Sequence, residues 1–96
     1  VILISAIARP ESFETLMEMN QKNVVKHFVR EDHHVWTQKE IEEIGAFARK
    51  NPRVSVVTTE KDFVKLEKLD TSALDLFVAS IELSLEPGFP YEKLVD

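Results

Sequence analysis

The chain has 96 residues, no cysteine and a net charge of −5, with 44% hydrophobic and 30% charged residues. That length suits one small domain, and the missing thiols exclude a disulfide framework and cysteine chemistry, which fits a reducing compartment. The acidic balance argues against a nucleic-acid partner, because phosphate contacts need clustered Lys and Arg, and no apolar run approaches the ~20 residues of a membrane span.

Val1 to Ala8 is an apolar run broken only by Ser5, and it reads as a strand covered on both faces. A native N-terminus rarely begins inside a core strand, so the chain is expected to be a domain cut from a longer protein. Pro10 and Glu11 suit the first turn of a helix over 10–21, with Phe13, Leu16 and Met17 on its apolar stripe. Val24 to Val29 reads as a second strand, with Lys26 and His27 inside it. After the Arg30 to Trp36 loop, Thr37 and Glu40 form a T-x-x-E capping box, and Trp36 with Ile41 a hydrophobic staple. They open a helix over 37–50 whose buried stripe is Ile41, Ile44, Phe47 and Ala48, and Asn51-Pro52 stops it. Val54 to Thr58 is a third strand, running directly into Thr59-Glu60-Lys61-Asp62, an [ST]-x-x-[DE] helix start. Phe63, Val64 and Leu66 are expected to give the helix over 60–67 its apolar side. Leu69 to Ala73 is a connector and Leu76 to Leu83 a fourth strand; Glu86 to Pro90 ends regular structure, and Tyr91 to Asp96 is read as one helical turn.

Strands alternating with helices predict an α/β fold: a small three-layer α/β/α domain on a mainly parallel four-stranded sheet, with right-handed crossovers and strand order 2-1-3-4. Ligands of such sheets gather outside the carboxyl ends of the strands. Three junctions share that rim: Ala8-Arg9-Pro10, Asp32 to Thr37, and Thr58 to Asp62.

Two of the three histidines, His33 and His34, are adjacent on the middle junction, with Asp32 before them. Consecutive loop residues point in different directions, so at most one is expected to face a given site. The residues alone fit a solvated loop with one capping imidazole, or an acid–base histidine oriented by Asp32. A metal site from His27, Asp32, His33 and His34 has no diagnostic spacing, and none is assigned. Thr59 and Lys61 fit either a capped, solvated charged turn or an anion-binding helix start, and Arg9 fits either a surface arginine or a phosphate contact. With two glycines in the chain, neither G-x-x-x-x-G-K-[ST] nor G-x-G-x-x-G occurs, so no nucleotide-binding loop is present.

Taken together, Ile4-Ser5-Ala6-Ile7-Ala8-Arg9-Pro10-Glu11-Ser12-Phe13, Asp32-His33-His34 and Val57-Thr58-Thr59-Glu60-Lys61-Asp62 resemble one family over residues 1–83. They look like the C-terminal portion of the tetraacyldisaccharide 4′-kinases, the lipid A 4′-kinases of Gram-negative bacteria. There a G/A-I-A-x-P strand end, a D-H-[HY] loop and a T-T-E-K-D helix start occur in this order. This chain departs from the family pattern in having Arg30-Glu31 before the aspartate in place of Phe-Pro, and Trp36 in place of Tyr or Phe. The resemblance implies transfer of the γ-phosphoryl of ATP, with Mg²⁺, to the 4′-hydroxyl of a lipid A disaccharide precursor. It also implies an N-terminal P-loop domain that holds the nucleotide, an inert isolated C-terminal domain, and a cytoplasmic protein associated with the inner face of the inner membrane through its N-terminal part. The catalytic assignment it implies falls on His33, facing the cleft between domains, with Asp32 beside it. His34, Arg9, Thr59 and Lys61 are candidate substrate or anion contacts.

Two rival classes lead elsewhere. A DHH-type phosphoesterase shares the Asp-His-His run but needs further aspartates for two metals. A non-catalytic flavodoxin-like interaction module would have no functional rim.

Overall fold

The sheet is laid out around β1 (Ile2–Ser5), whose four residues are all buried. In the computed structural model, which describes residues 1–79, it pairs in parallel with β2 (Lys26–Val29) on one side and β3 (Val56–Thr59) on the other. Then β4 (Leu76–Ala79) adds to β3, again in parallel, giving the order β2-β1-β3-β4. The predicted fold class and strand order are those observed. Parallel pairing needs crossovers, and α1 (Pro10–Met19), α2 (Gln38–Arg49) and α3 (Glu60–Leu66) supply them.

Period-2 alternation along β1 divides the core. Ile2 and Ile4 join Ile41 and Ile44 of α2, Leu66 of α3, Val56 and Trp36 on one face. Leu3 joins Phe13 and Met17 of α1, with Ile7, on the other. A central strand with helices on both sides must be apolar on both sides, which is why its sequence is continuous rather than alternating. β2 lies at the edge of the sheet with Lys26 and Val29 exposed, so it tolerates polar residues.

His27 turns inward, toward α1. Its Nδ1 meets Glu14 Oε2 at 2.7 Å, its Nε2 meets Ser5 Oγ at 2.6 Å, and the ring lies edge-on to Phe13. The Glu14–His27–Ser5 line ties helix to sheet and satisfies the buried Ser5 hydroxyl. Both ring nitrogens are thereby engaged away from Asp32, His33 and His34.

Several boundaries differ from the sequence reading for local reasons. The first strand ends at Ser5 rather than Ala8, because the Ala6 N–H leaves the ladder and donates to the Asp62 carboxylate. The third begins at Val56 rather than Val54, because the Val54 N–H closes a turn onto Asn51 O. In α2 the capping box forms as expected, whereas Phe47 and Ala48 are only partly buried. The apolar side of α3 differs more from expectation. Val64 is 63% exposed, and the buried residues are Asp62 and Leu66. Side chains four apart share a face, so a helix start that turns Asp62 inward carries Leu66 in with it and leaves Val64 outside. Residues 80–83 of the expected fourth strand, the Glu86–Pro90 break and the Tyr91–Asp96 turn lie outside the described residues.

Candidate functional site

All four strands run the same way, so the loops after β1, β2 and β3 emerge on one rim. The middle loop is fixed at both ends of a tight turn. His34 N–H donates to Glu31 O at 3.0 Å, and between them His33 has φ 70°. A turn with positive φ at its third position normally calls for Gly or Asn, because Cβ crowds the backbone there. A histidine in that place costs on the order of 1 kcal/mol and persists only because its neighbours are held. Asp32 Oδ1 accepts from Lys61 Nζ at 3.1 Å, and that bond is the largest influence keeping the Asp32 carboxyl below its ordinary range. His33 projects outward, its side chain 78% exposed, with Nε2 3.6 Å from Asp32 Oδ2.

His34 turns the opposite way. Its Nε2 lies 2.9 and 3.0 Å from the two Glu40 oxygens, and its ring stands edge-on to Trp36 at 5.2 Å. Arg30 Nε donates to Glu40 Oε2 at 2.8 Å, with its guanidinium 5.6 Å from the Trp36 ring centroid. The Thr37 N–H completes the set on Glu40 Oε1 at 2.9 Å. Burial pushes the Glu40 carboxyl up, but hydrogen bonds from His34, Arg30 and the Thr37 N–H outweigh it and bring the pKa from its ordinary 4.5 to about 2. A depressed carboxyl stabilises the fold above its unfolded pKa and loses that contribution as pH falls through the folded value. Glu40→Gln is therefore expected to cost roughly 1–2 kcal/mol near pH 7, after discounting for solvent screening. Urea unfolding at stepped pH should show this gap closing between about pH 4.5 and 2. A gap that stays constant across that window would contradict it.

Under both loops lies Asp62, wholly buried. The Ala6 N–H donates to both of its oxygens at 3.1 Å, Trp36 Nε1 donates to Oδ1 at 3.3 Å, and Thr59 Oγ1 donates to Oδ2 at 2.7 Å. Its own N–H caps back onto Thr59 Oγ1 at 3.1 Å. One carboxylate thus holds the loop after β1, the loop after β2 and the start of α3. Among the described residues no cation approaches it within salt-bridge distance; the N-terminal end of α3 supplies the favourable dipole.

The structure therefore separates the candidates. Asp32, His33 and Lys61 form one exposed group. His34 is drawn into the Glu40–Arg30–Trp36 cluster. Thr59 is 3% exposed, and its hydroxyl is committed to Asp62. Arg9 is the exposed N-cap of α1 and makes no salt bridge among the described residues. The residue that sequence reading misplaced is Asp62, taken for part of a solvated charged turn. Its signal was present but ambiguous: an acidic residue three after a Thr cap usually reaches back to the cap backbone, whereas here it reaches across to another loop. A concavity of about 480 Å³ lined by Met17, Asn20, Val57, Phe77 and Ala79 opens beside α1 and shares none of these residues.

The sequence profile of tetraacyldisaccharide-1-P 4′-kinase matches residues 1–95. The chain belongs to the tetraacyldisaccharide 4′-kinase family. Its curated relatives include the tetraacyldisaccharide 4′-kinase of Bdellovibrio bacteriovorus, 37% identical over 88% of this chain. Those of Syntrophus aciditrophicus and Halothermothrix orenii are 30% and 31% identical over 99% and 90% of it. The chain spans about a quarter of the length of each. No solved structure matches it.

On this member of the tetraacyldisaccharide 4′-kinase family, the three motifs that carried the resemblance are the three loops that Asp62 joins. Among the described residues no three carboxylate, imidazole or thiol side chains converge as a metal site requires. Of the rim carboxylates, Asp32 is engaged by Lys61, Glu40 by His34 with Arg30, and Asp62 by its own donor set. These residues do not fit a magnesium–nucleotide site. Nor is any helix among them long and apolar enough to cross a membrane.

Proposed function

We propose that this chain is the C-terminal, acceptor-side domain of a kinase that moves the γ-phosphoryl of ATP to the 4′-hydroxyl of a tetraacyldisaccharide 1-phosphate, a lipid A precursor. In this reading the rest of the protein holds ATP and magnesium on a P-loop domain, acts at the cytoplasmic face of the inner membrane, and closes against the rim described above. The isolated chain is inert.

The observation that carries the proposal is His33. A side chain held outward at positive φ, on a turn pinned on both sides, is presented rather than packed. In phosphoryl transfer, positioning and charge stabilisation dominate, and one group orients or deprotonates the nucleophile. As the acceptor oxygen bonds to the γ-phosphorus and the bond to the ADP oxygen breaks, the His33 imidazole orients the hydroxyl and takes or relays its proton. Asp32, held by Lys61, fixes the backbone from which His33 projects. Arg9 and Lys61 supply positive charge for the anionic acceptor.

Titrating Mg-ATP into the isolated chain while following backbone amide shifts tests the division of labour. We expect no saturable binding in the micromolar range. A micromolar site would show that the nucleotide belongs to this domain and would overturn the reading.

A further inference from the structure

We infer that Asp62 is a positioning residue for the reaction, acting on His33 through Trp36 and on the Arg9 loop through the Ala6 backbone. This rests on the proposed role of His33. The site needs two loops from different strands at a fixed separation, and neither loop contacts the other through a side chain of its own among the hydrogen bonds of the described residues. Beyond the Arg30 N–H to Ser5 O bond at their base, what they share is one carboxylate. Trp36 Nε1 reaches it from the end of the His33 loop, and the Ala6 N–H reaches it from the β1 end, three residues before Arg9.

The geometry is that of a joint rather than of packing alone. Trp36 stands between two attachments. Its ring carries Arg30 and His34 on the loop side, and its N–H is anchored on Asp62 below. Lys61, next to Asp62 on α3, grips Asp32 from above, and Lys65 Nζ reaches His34 O at 3.4 Å. The helix start fixed by Asp62 thus holds the turn that presents His33 at Asp32 and His34, as well as through the indole. An error of ~1 Å at a reacting group can cost ~10²-fold in rate, even when the altered residue never touches substrate.

Two variants of the full-length kinase separate this role from a purely structural one. Asp62→Asn keeps shape and leaves one oxygen as acceptor. Trp36→Phe keeps an aromatic ring while removing the N–H link and part of the ring's volume, which guards against an Asp62 variant that folds poorly. Both are compared with His33→Ala and with the corresponding double variants, with thermal unfolding measured on each. Each single variant is expected to lower kcat by ~10–10²-fold, with KM for ATP within about twofold. Trp36→Phe is expected to add almost nothing in the His33→Ala background, and Asp62→Asn only the smaller share that runs through the Arg9 loop, because residues that act as a unit are non-additive. Full additivity with His33→Ala, or unchanged kcat in both Asp62→Asn and Trp36→Phe, would overturn the positioning role and leave the role of His33 standing. A silent His33→Ala would overturn both.

Discussion

His33→Ala in the full-length kinase is expected to lower kcat by ~10²–10⁴-fold while leaving KM for ATP nearly unchanged. The magnitude is that of removing a positioned acid–base group, and the split follows from where the group stands. Among the described residues no glycine-rich loop lies at this rim to wrap a nucleotide's phosphates, so in the proposed reading losing an imidazole there removes help to the acceptor and none to nucleotide binding. The fold should scarcely respond. The His33 side chain is 78% exposed, and alanine inherits the same positive φ; such a change usually moves stability by no more than ~0.5 kcal/mol. His34→Ala is expected to behave oppositely. Its imidazole donates to Glu40 inside the Arg30–Trp36 cluster, so the variant should cost stability before it costs chemistry. Steady-state kinetics on the two variants, with unfolding curves for each, decide the assignment. If His34→Ala is the one that loses kcat, His33 is the wrong residue.

Asp62→Ala is expected to destabilise the domain by roughly 3–5 kcal/mol. The Ala6 N–H, the Trp36 indole N–H and the Thr59 hydroxyl all lose their acceptor in a site that water does not reach, and each stranded group costs ~1–3 kcal/mol. Small domains have total stabilities of about 5–15 kcal/mol, so this single change approaches the limit of what the fold can absorb. Asp62→Asn should cost markedly less, because its amide oxygen still accepts and its NH₂ can donate to Thr59 Oγ1. The midpoint shift in urea, at unchanged slope, measures both. A loss below ~1 kcal/mol for alanine would mean that the three loops are held by packing and that the carboxylate is incidental.

The contrast between these two residues shows what the sequence makes legible. The alternation of β-branched runs with capped helices sufficed for the fold class, the strand order and the shared rim, because each depends on local patterning plus one handedness rule. The Thr37–Glu40 box and the Trp36–Ile41 staple were readable for the same reason: all their partners lie within five residues of one another. His33 and His34 could be separated in direction but not in role, since which one turns inward depends on Glu40 and Arg30 together. Asp62 could be read as part of a helix start but not as a buried joint. Its partners, Ala6 and Trp36, lie 56 and 26 residues away, and a charged residue in a helix start gives no local sign of being buried. The Glu14–His27–Ser5 line is invisible from the sequence for the same reason, although the odd placement of a histidine inside a strand marked it.

In the proposed reading, the rim formed by the loops after β1, β2 and β3 faces the reaction. Amide hydrogen exchange on the full-length protein tests it directly, with and without the disaccharide acceptor together with a non-hydrolysable ATP analogue. Within residues 1–79, exchange is expected to slow at residues 6–9, 30–37 and 59–62 and to stay unchanged elsewhere. Slowing confined to the concavity between α1 and β4, with the His33 loop unaffected, would contradict it.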